Sequence, residues 1–301
     1  MSLRPPACGL LPCVMLLLHG CVGQSLLTDG SSVSHGTTST GALRGGSVLP
    51  SRGDGYYIPA RWRDRRRNYG TDELVQLLTR VARRVGQVHR GSLLGVADLS
   101  LKGGGPTIEH KSHRSGRDVD LVFYHVDEKG KPVKPEEMIE LDKDGLRVQP
   151  TSLPATQPAA RPPPPGDDPT EPLPVRKLDL DRNWALVRAL VLDPKVSVQW
   201  VFIGRPISRL LLRHAKRRRE PAYIIERAAT VMHHAHAHMD HMHVRIFCAP
   251  SDRAFGCVDR GPSRWLKKEI KYIDSPPPPP PRATSDLLAR IVVRRLRSLG
   301  L

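Results

Sequence analysis

Histidine is concentrated in one short segment of this chain, HHAHAHMDHMH, which holds six of the 13 histidines between His233 and His243. The last three residues of this segment begin the stretch HMHVRIFC, which predicts a strand. Successive side chains of a strand point to opposite faces. His241 and His243 would then share one face, while Met242 and Val244 face the core. Two imidazoles on one face suit a shared metal, or one metal ligand and one base. The alternative is a pair of structural or solvated side chains.

A second cluster lies upstream in HRSGRDVD, where six residues separate His113 from Asp120. Gly116 lets the chain fold back, and Asp120 falls in a predicted strand beside apolar residues. A carboxylate in that position is costly unless it is paired or bound to a cation. Zinc held by three protein ligands keeps a fourth position for water, as catalytic sites require. His113, Asp120 and His243 would supply such a set, and the absence of an HEXXH sequence excludes a thermolysin-like metalloprotease.

The elements that must position these clusters follow from the spacing of apolar residues. A helix capped by Thr71 should bury the side chains from Leu74 to Val85, and Asp181 should cap a second helix. Two further helices are predicted over 207–218 and 222–234, the second ending in His233 and His234. Strands are predicted over 91–101, 118–124, 196–203 and 239–248, with hairpin turns at 127–130 and 144–145.

Irregular segments are predicted around and within this domain, in line with 29 Pro and 25 Gly. Residues 1–21 are typical of a secretory signal peptide, and Leu18-His19-Gly20-Cys21 resembles a bacterial lipobox. We expect lipidation of Cys21, with plain cleavage as the alternative.

The predicted segments are a flexible tether over 22–55, a folded domain over 56–265 with a Pro-rich insertion at about 131–176, and a Pro-rich basic tail over 266–301. The tail could lie on an anionic membrane or dock on the domain.

Cys248 and Cys257 are nine residues apart, and Pro250 and Gly256 allow the chain to turn between them. In an exported protein this spacing favours a disulfide, and the alternative is two unlinked buried thiols.

The formal charge of +17 predicts an anionic partner. Nucleic acid, an anionic membrane surface and an acidic wall polymer all carry suitable charge. The chain has few aromatic residues, 6 Tyr, 4 Trp and 4 Phe, which argues against a groove for single-stranded nucleic acid. An exported protein does not meet nucleic acid, so we expect the basic side chains to attract wall carboxylates and the anionic envelope surface.

The two motifs SHRSGRDVDL and HMDHMHVRIFC, with GGG upstream of the first, resemble the penicillin-insensitive murein endopeptidases. These proteins belong to a group of zinc peptidases that includes lysostaphin, D-alanyl-D-alanine metallopeptidases and the hedgehog signalling domain. The resemblance covers roughly 56–126 and 178–262. It implies an α+β fold in which a small central antiparallel sheet with flanking helices forms a zinc cleft. It also implies one Zn²⁺ per domain, bound by His113, Asp120 and His243.

The resemblance further implies an endopeptidase of the periplasm or cell envelope. Its substrate would be peptidoglycan, cut at the cross-links between D-alanine and meso-diaminopimelate. His238 and His241 match the active-site histidines that do not bind metal. We expect His241 to be the general base because it shares a strand face with His243, and His238 to stabilise the oxyanion or to exchange roles with it.

Several other residues are interpreted through the same resemblance. The pair Cys248 and Cys257 matches a family disulfide. His110 matches a ligand of a further metal in some relatives, but this chain has no histidine between His125 and His214. We therefore expect one metal, with His110 contacting substrate or lining the cleft, and a ligand of a second metal as the alternative for His110.

Asp118 or Asp240 could orient a ligand imidazole, although we favour a salt bridge to a nearby Arg for each. His233, His234 and His236, at the predicted helix end, are expected to be solvated or to bind metal loosely.

Three other functions compete with this prediction. A D,D-carboxypeptidase or amidase of the same zinc group would cut a different wall bond. A non-catalytic module could use the positive charge to bind the cell wall, and the histidine run could serve periplasmic metal storage.

Overall fold

The computed structural model describes residues 32–149 and 172–260. Strands in this part of the chain are short, and their bounds are β1 (Val33–His35), β2 (Ala42–Arg44), β3 (Ser47–Val48), β4 (Arg52–Gly53), β5 (Tyr56–Tyr57), β6 (Tyr69–Gly70), β7 (Leu94–Gly95), β8 (Asp118–Val122), β9 (His125–Val126), β10 (Pro132–Val133), β11 (Lys177–Leu178), β12 (Val198–Ile203), β13 (Met232–His234) and β14 (His241–Ile246). The helices are α1 (Ala60–Arg63), α2 (Asp72–Val88), α3 (Leu180–Val191), α4 (Arg205–Arg217), α5 (Ala222–Val231) and α6 (Pro250–Ala254).

The central sheet has four strands in the order β13-β12-β14-β8. Strand β14 pairs antiparallel with β12 on one side and with β8 on the other, whereas β13 lies parallel to β12. Met242, Val244 and Ile246 of β14 face the core and are at most 1% exposed. Helix α2 packs on α3, helices α3, α4 and α5 pack on one another, and α5 also contacts β12. The predicted α+β class is therefore confirmed.

Helix α2 begins as the sequence predicts. The hydroxyl of Thr71 accepts a hydrogen bond from the Leu74 amide, and the apolar face from Leu74 to Val85 is buried. Such a cap satisfies one of the amides that the first helical turn leaves unpaired. Helix α3 begins two residues earlier than predicted, because the cap is Asp179, which accepts from the Arg182 amide.

Residues 32–55 differ from the flexible tether that we predicted over 22–55. They form β1 to β4, and Leu43 and Leu49 are 3% and 0% exposed. The amide of buried Ser34 donates a hydrogen bond to the Asp252 carboxylate, and the hydroxyl of buried Ser32 accepts a hydrogen bond from the Asp72 amide. Two- and three-residue strands carry no apolar period, and their polar residues are buried through hydrogen bonds to distant segments. The folded domain thus begins before residue 56.

The predicted Pro-rich insertion at about 131–176 is partly folded. The predicted turn at Asp144-Gly145 is present, since the Gly145 amide donates to the Asp142 carbonyl and Leu141 bridges Arg147. Ile139 and Leu141 are 6% and 1% exposed, so this hairpin packs on the domain. Residues 150–171, which contain the proline run, lie outside the described residues.

The predicted helix over 222–234 ends at Val231, and the chain continues as β13. Met232, His233 and His234 pair with Val201, Phe202 and Ile203 of β12. The open edge of β12 supplies backbone hydrogen-bond partners there, which outweigh helical propensity.

Cys248 and Cys257 form the predicted disulfide. The loop that it closes contacts the first strand, because the Gly36 amide donates to the Gly256 carbonyl at 3.0 Å and the Val258 amide donates to the Gly36 carbonyl at 2.9 Å. The buried Arg117 guanidinium donates to Ser34, to Asp259 and to two carbonyls in this region. We call this set of contacts between the 34–36 and 252–259 segments the terminal clasp.

The predicted signal peptide, the lipidation site Cys21 and the tail over 266–301 lie outside the described residues. Within 32–149 and 172–260, no helix combines the length and the apolar character that crossing a membrane requires.

Candidate metal centre

Two neighbouring strands bring the two sequence motifs together. In the β14–β8 pair, His243 lies directly opposite Asp120 and Arg245 lies opposite Asp118. Side chains alternate along β14, so His241, His243 and Arg245 project from the face opposite the core residues, as predicted. The antiparallel register therefore places a carboxylate and an imidazole from distant parts of the chain side by side.

His113 reaches the same point from the loop before β8. Its backbone φ of +65° is in the left-handed region, which is unfavourable for a residue with a side chain. The conformation is held by two contacts: the His113 amide donates to Asp118 at 3.0 Å, and the His113 carbonyl accepts from Ser100. Nδ1 of His113 lies 2.9 Å from the Leu99 carbonyl, so Nε2 is directed to the centre.

The three predicted zinc ligands lie within hydrogen-bond distance of one another. His113 Nε2 is 3.3 Å from Asp120 Oδ1 and 3.2 Å from His243 Nδ1. His243 Nδ1 is 3.1 Å from Asp120 Oδ1. Atoms bound tetrahedrally at about 2.0–2.1 Å from Zn²⁺ would be about 3.3–3.4 Å apart. The spacing of these three atoms is thus close to one face of a zinc tetrahedron.

Burial and charge at this point also suit a cation. Asp120 is 2% exposed, and its Oδ1 has no hydrogen-bond partner of suitable geometry among the described residues. Burial alone would raise the pKa of Asp120, but His113 and His241 outweigh it and hold the pKa well below its usual range. An ionised buried carboxylate without an aligned donor is costly unless a cation is bound. Two imidazoles and one carboxylate are ligands that zinc accepts.

His110 belongs to an overlapping group, since donor atoms of His110, His113 and Asp120 all lie within 4.8 Å of one another. The His110 ring lies against that of His113, with centroids 4.3 Å apart and the ring planes tilted by 36°. Nε2 of His110 is 2.9 Å from Asp98 Oδ2, while Nδ1 is 3.8 Å from Asp120 Oδ2. His110 is thus oriented by one carboxylate and lies farther from Asp120 than either His113 or His243.

Asp98 was not singled out from the sequence. It is 1% exposed, and Oδ2 also accepts from Arg65 at 2.5 Å and from Arg67 at 3.3 Å. A carboxylate within the apolar stretch 94–101 was the signal that could have identified it, by the same reasoning that was applied to Asp120.

The two remaining predicted histidines line the same centre. His241 Nε2 is 3.6 Å from Asp120 Oδ1, and its Nδ1 is 2.5 Å from Asp240. Burial disfavours the charged form of His241, but Asp120, Asp240 and Glu140 outweigh it and raise the pKa. The His238 ring lies 4.7 Å from that of His241, and burial, followed by His241 and His243, lowers the pKa of His238 to about 3.

The two neighbouring aspartates behave differently. The expected salt bridge of Asp118 is present, because Arg245 donates to both of its oxygens at 2.7 and 3.1 Å. Asp118 also lies 3.5 Å from His243 Nε2. Asp240 contacts His241 and no Arg among the described residues, so the salt bridge expected for it was wrong. The reason is that Asp240 directly precedes His241 in the turn into β14.

Phe202 of β12 was also not identified as a site residue from the sequence. It pairs with His243 across the sheet, and its ring is 5.2 Å from the His243 ring and 5.2 Å from the Arg245 guanidinium. A half-buried aromatic residue in an otherwise apolar strand gave no signal of this position.

The other three histidines of the segment lie in or just after β13. His233 packs near Trp200 and Phe202, and burial lowers its pKa to about 3. Nδ1 of His234 accepts a hydrogen bond from the Arg205 amide at 3.1 Å, and the His234 ring lies 4.5 Å from that of His236. Their predicted place at a helix end was wrong for His233 and His234, which lie in β13.

Residues 34–155 match the family model described as penicillin-insensitive murein endopeptidase. The match includes His110, His113 and Asp120 and ends before the histidine-rich segment. It also begins upstream of residue 56, which agrees with the folded strands found there.

Three curated relatives bear the name penicillin-insensitive murein endopeptidase. The protein from Escherichia coli O6:K15:H31 (strain 536 / UPEC) is 30% identical over 126 residues, which are 40% of this chain and 45% of that protein. Those from Escherichia coli O1:K1 / APEC and Escherichia coli (strain SMS-3-5 / SECEC) are each 33% identical over 95 residues, which are 31% of this chain and 34% of theirs. The chain therefore spans less than half the length of these relatives.

Proposed function

Starting from the confirmed resemblance of residues 34–155 to the penicillin-insensitive murein endopeptidases, we propose that the chain is a zinc-dependent endopeptidase of peptidoglycan. The bond that it hydrolyses is the cross-link between D-alanine and meso-diaminopimelate. The observation that carries this proposal is the buried triangle of donor atoms from His113, Asp120 and His243, with sides of 3.1–3.3 Å.

These three residues would hold one Zn²⁺. When bound, zinc polarises a scissile carbonyl and lowers the pKa of a water molecule toward neutrality. The protein orients the three donors through contacts behind them: Leu99 fixes the tautomer of His113, and Asp118 lies behind His243. Such supporting contacts raise ligand basicity and restrict ring orientation.

His241 is our proposed general base. Asp240 binds Nδ1, which leaves Nε2 directed toward Asp120 and the space above the three donors. Nε2 would take a proton from the attacking water and deliver it to the leaving amine. The surrounding carboxylates favour the protonated form of His241 after that transfer, since they raise its pKa.

His238 has a different role in this proposal. Burial keeps it neutral, with a pKa of about 3, and its Nδ1 has no hydrogen-bond partner among the described residues. A neutral imidazole beside the reacting carbonyl can donate a hydrogen bond from one ring nitrogen to the developing negative oxygen.

One zinc ion per domain is sufficient for this chemistry. Asp98 occupies Nε2 of His110, and the chain has no histidine between His125, which is buried in β9, and His214. We therefore place His110 at the cleft wall.

Action on peptidoglycan also requires export, so we propose a periplasmic or envelope location, with residues 1–21 as the signal and Cys21 as the site of lipidation.

The test is digestion of purified cross-linked muropeptides by the wild type and by His113→Ala and Asp120→Ala. We expect each substitution to lower the rate at least about a hundredfold and to abolish stoichiometric zinc binding. His89→Ala and Asp64→Ala are matched controls, since both residues lie outside the centre, and they should retain activity.

Mass spectrometry of the products distinguishes the competing activities. An endopeptidase converts cross-linked dimers into monomers, whereas a carboxypeptidase releases only terminal D-alanine. Wild-type rates in both ligand variants would show that the metal assignment is wrong. Zinc binding without any cleavage by the wild type would favour a binding or storage protein.

A further inference from the structure

We propose that the outward face of α4 is a docking strip for the carboxylates of the peptidoglycan polymer, separate from the residues that cut it. The strip consists of Arg205, Arg209, Arg213 and Lys216, all of which are exposed. This inference builds on the proposed function, because it assumes that the polymer reaches the neighbouring cleft.

The four side chains lie on one side of the helix. At 100° per residue their directions fall within about 80°, and at a rise of 1.5 Å per residue they extend over about 16 Å. The opposite side of the helix carries Ile207, Leu211 and Ala215, each of which is 0% exposed. The strip is therefore a linear array of cations that the fold holds at the surface.

These cations have no internal partner in the described part of the chain. No carboxylate there lies within ion-pair distance of any of the four, and residues 205–219 contain no acidic residue. Two carboxylates near the helix are engaged elsewhere, since Asp181 contacts His214 and Arg218, and Glu220 contacts Arg188. An external polyanion is the complement that a uniform array of this kind attracts.

The strip begins at the edge of the candidate metal centre. The Gly204 amide, immediately before α4, donates to the His238 carbonyl at 2.7 Å, and the Arg205 amide donates to His234. A polymer that enters the cleft past His238 is thus beside the first cation of the strip. Free carboxylates on neighbouring stem peptides of the same polymer could bind the cations farther along.

An anionic membrane fits this helix less well than the polymer. Helices that bind in the membrane interface bury an apolar face among the lipids. No residue of α4 is among the exposed large apolar side chains of the described segments, and its apolar residues already pack in the domain. The strip offers charge without apolar contact, as a soluble carboxylate polymer requires.

The experiment compares a quadruple variant, in which Arg205, Arg209, Arg213 and Lys216 are each replaced by Gln, with the wild type. A control variant removes the same charge elsewhere, with Gln at the exposed residues Arg84, Arg90, Lys129 and Lys131. Binding to purified sacculi is measured by sedimentation with metal chelated, over a range of salt concentrations. Hydrolysis of a soluble cross-linked dimer and of intact sacculi is measured with zinc present.

We expect the α4 variant to bind sacculi about tenfold or more weakly at low salt, with the difference diminishing as salt rises. Its hydrolysis of sacculi should fall with binding, while its hydrolysis of the soluble dimer stays within about twofold of wild type, which also shows that it is folded. Arg→Lys replacements at the three arginines should restore binding.

Three results would overturn the inference: an equal loss in the control variant, unchanged binding in the α4 variant, or α4-dependent binding to anionic phospholipid vesicles but not to sacculi. Failure of the proposed function has a different signature. In that case the wild type leaves the soluble dimer intact, whereas the α4-dependent binding to sacculi can still be measured.

Discussion

His125 allows a quantitative test of how stability depends on pH. It lies in β9, which pairs with β10 on one side and β11 on the other, and it is 2% exposed. Burial, followed by the positive charges of Arg176 and Arg147, lowers its pKa from 6.5 to about 4. Its Nε2 has no hydrogen-bond partner among the described residues. The folded protein therefore requires the neutral imidazole.

The direction in which stability changes with pH follows from proton linkage. Because the pKa is lower in the folded state, the unfolded chain binds the additional proton as the pH falls. The contribution of His125 is complete above pH 6.5 and is lost as the pH falls toward about 4. From pH 7.5 to pH 5, protonation of this side chain lowers the free energy of unfolding by about 2 kcal/mol, and the decrease reaches about 3 kcal/mol near pH 4.

The assay is urea unfolding of the wild type and of His125→Gln at pH 7.5 and pH 5, followed by tryptophan fluorescence. Burial also lowers the pKa values of His233 and His238, each to about 3, so the wild type should lose more than the His125 contribution. The variant should lose about 2 kcal/mol less than the wild type over the same interval. Equal losses in the two proteins would refute the assignment of a buried neutral His125.

Three further predictions concern the centre and the terminal clasp. Asp118→Asn should weaken zinc binding about 10–100-fold, measured by chelator competition, because it removes the carboxylate behind His243; unchanged affinity would contradict this role. Zinc at about 100 times its Kd should raise the free energy of unfolding by about 2.7 kcal/mol, and a zinc-independent value would exclude the ion from the folded state. Replacing Cys248 and Cys257 by Ser should lower the free energy of unfolding by about 2–3 kcal/mol, from the loss of a short closed loop, whereas an unchanged urea midpoint would argue against that constraint.

The strongest sequence predictions were those in which a period and a chemical motif agreed. The alternation in HMHVRIFC placed Met242 and Val244 in the core and the intervening histidines on the opposite face. Helix α2 was predictable because Thr71 and a regular apolar face both marked it. The proximity of Asp120 to His243 was not contained in either motif alone; the requirement for three zinc ligands suggested it, and the family resemblance implied the same set.

The features that the sequence did not reveal depend on contacts between distant segments. Strands β1 to β4 are too short for a period, and Ser34 is buried through its contacts with Asp252 and Arg117. Strand β13 forms because β12 has an open edge, although its residues continue an apparent helix. Asp98 and Phe202 became functional candidates only through their distances to His110 and His243.

The terminal clasp has a consequence for protein engineering. The described residues begin close to Gly36 and end close to Val258, and a pair of backbone hydrogen bonds joins the two segments there. A domain whose ends meet can be circularly permuted or inserted into a surface loop of a host protein. A short linker from residue 260 to residue 32 would close the ring, and new termini could be opened in the 150–171 segment without cutting any element that carries the metal centre.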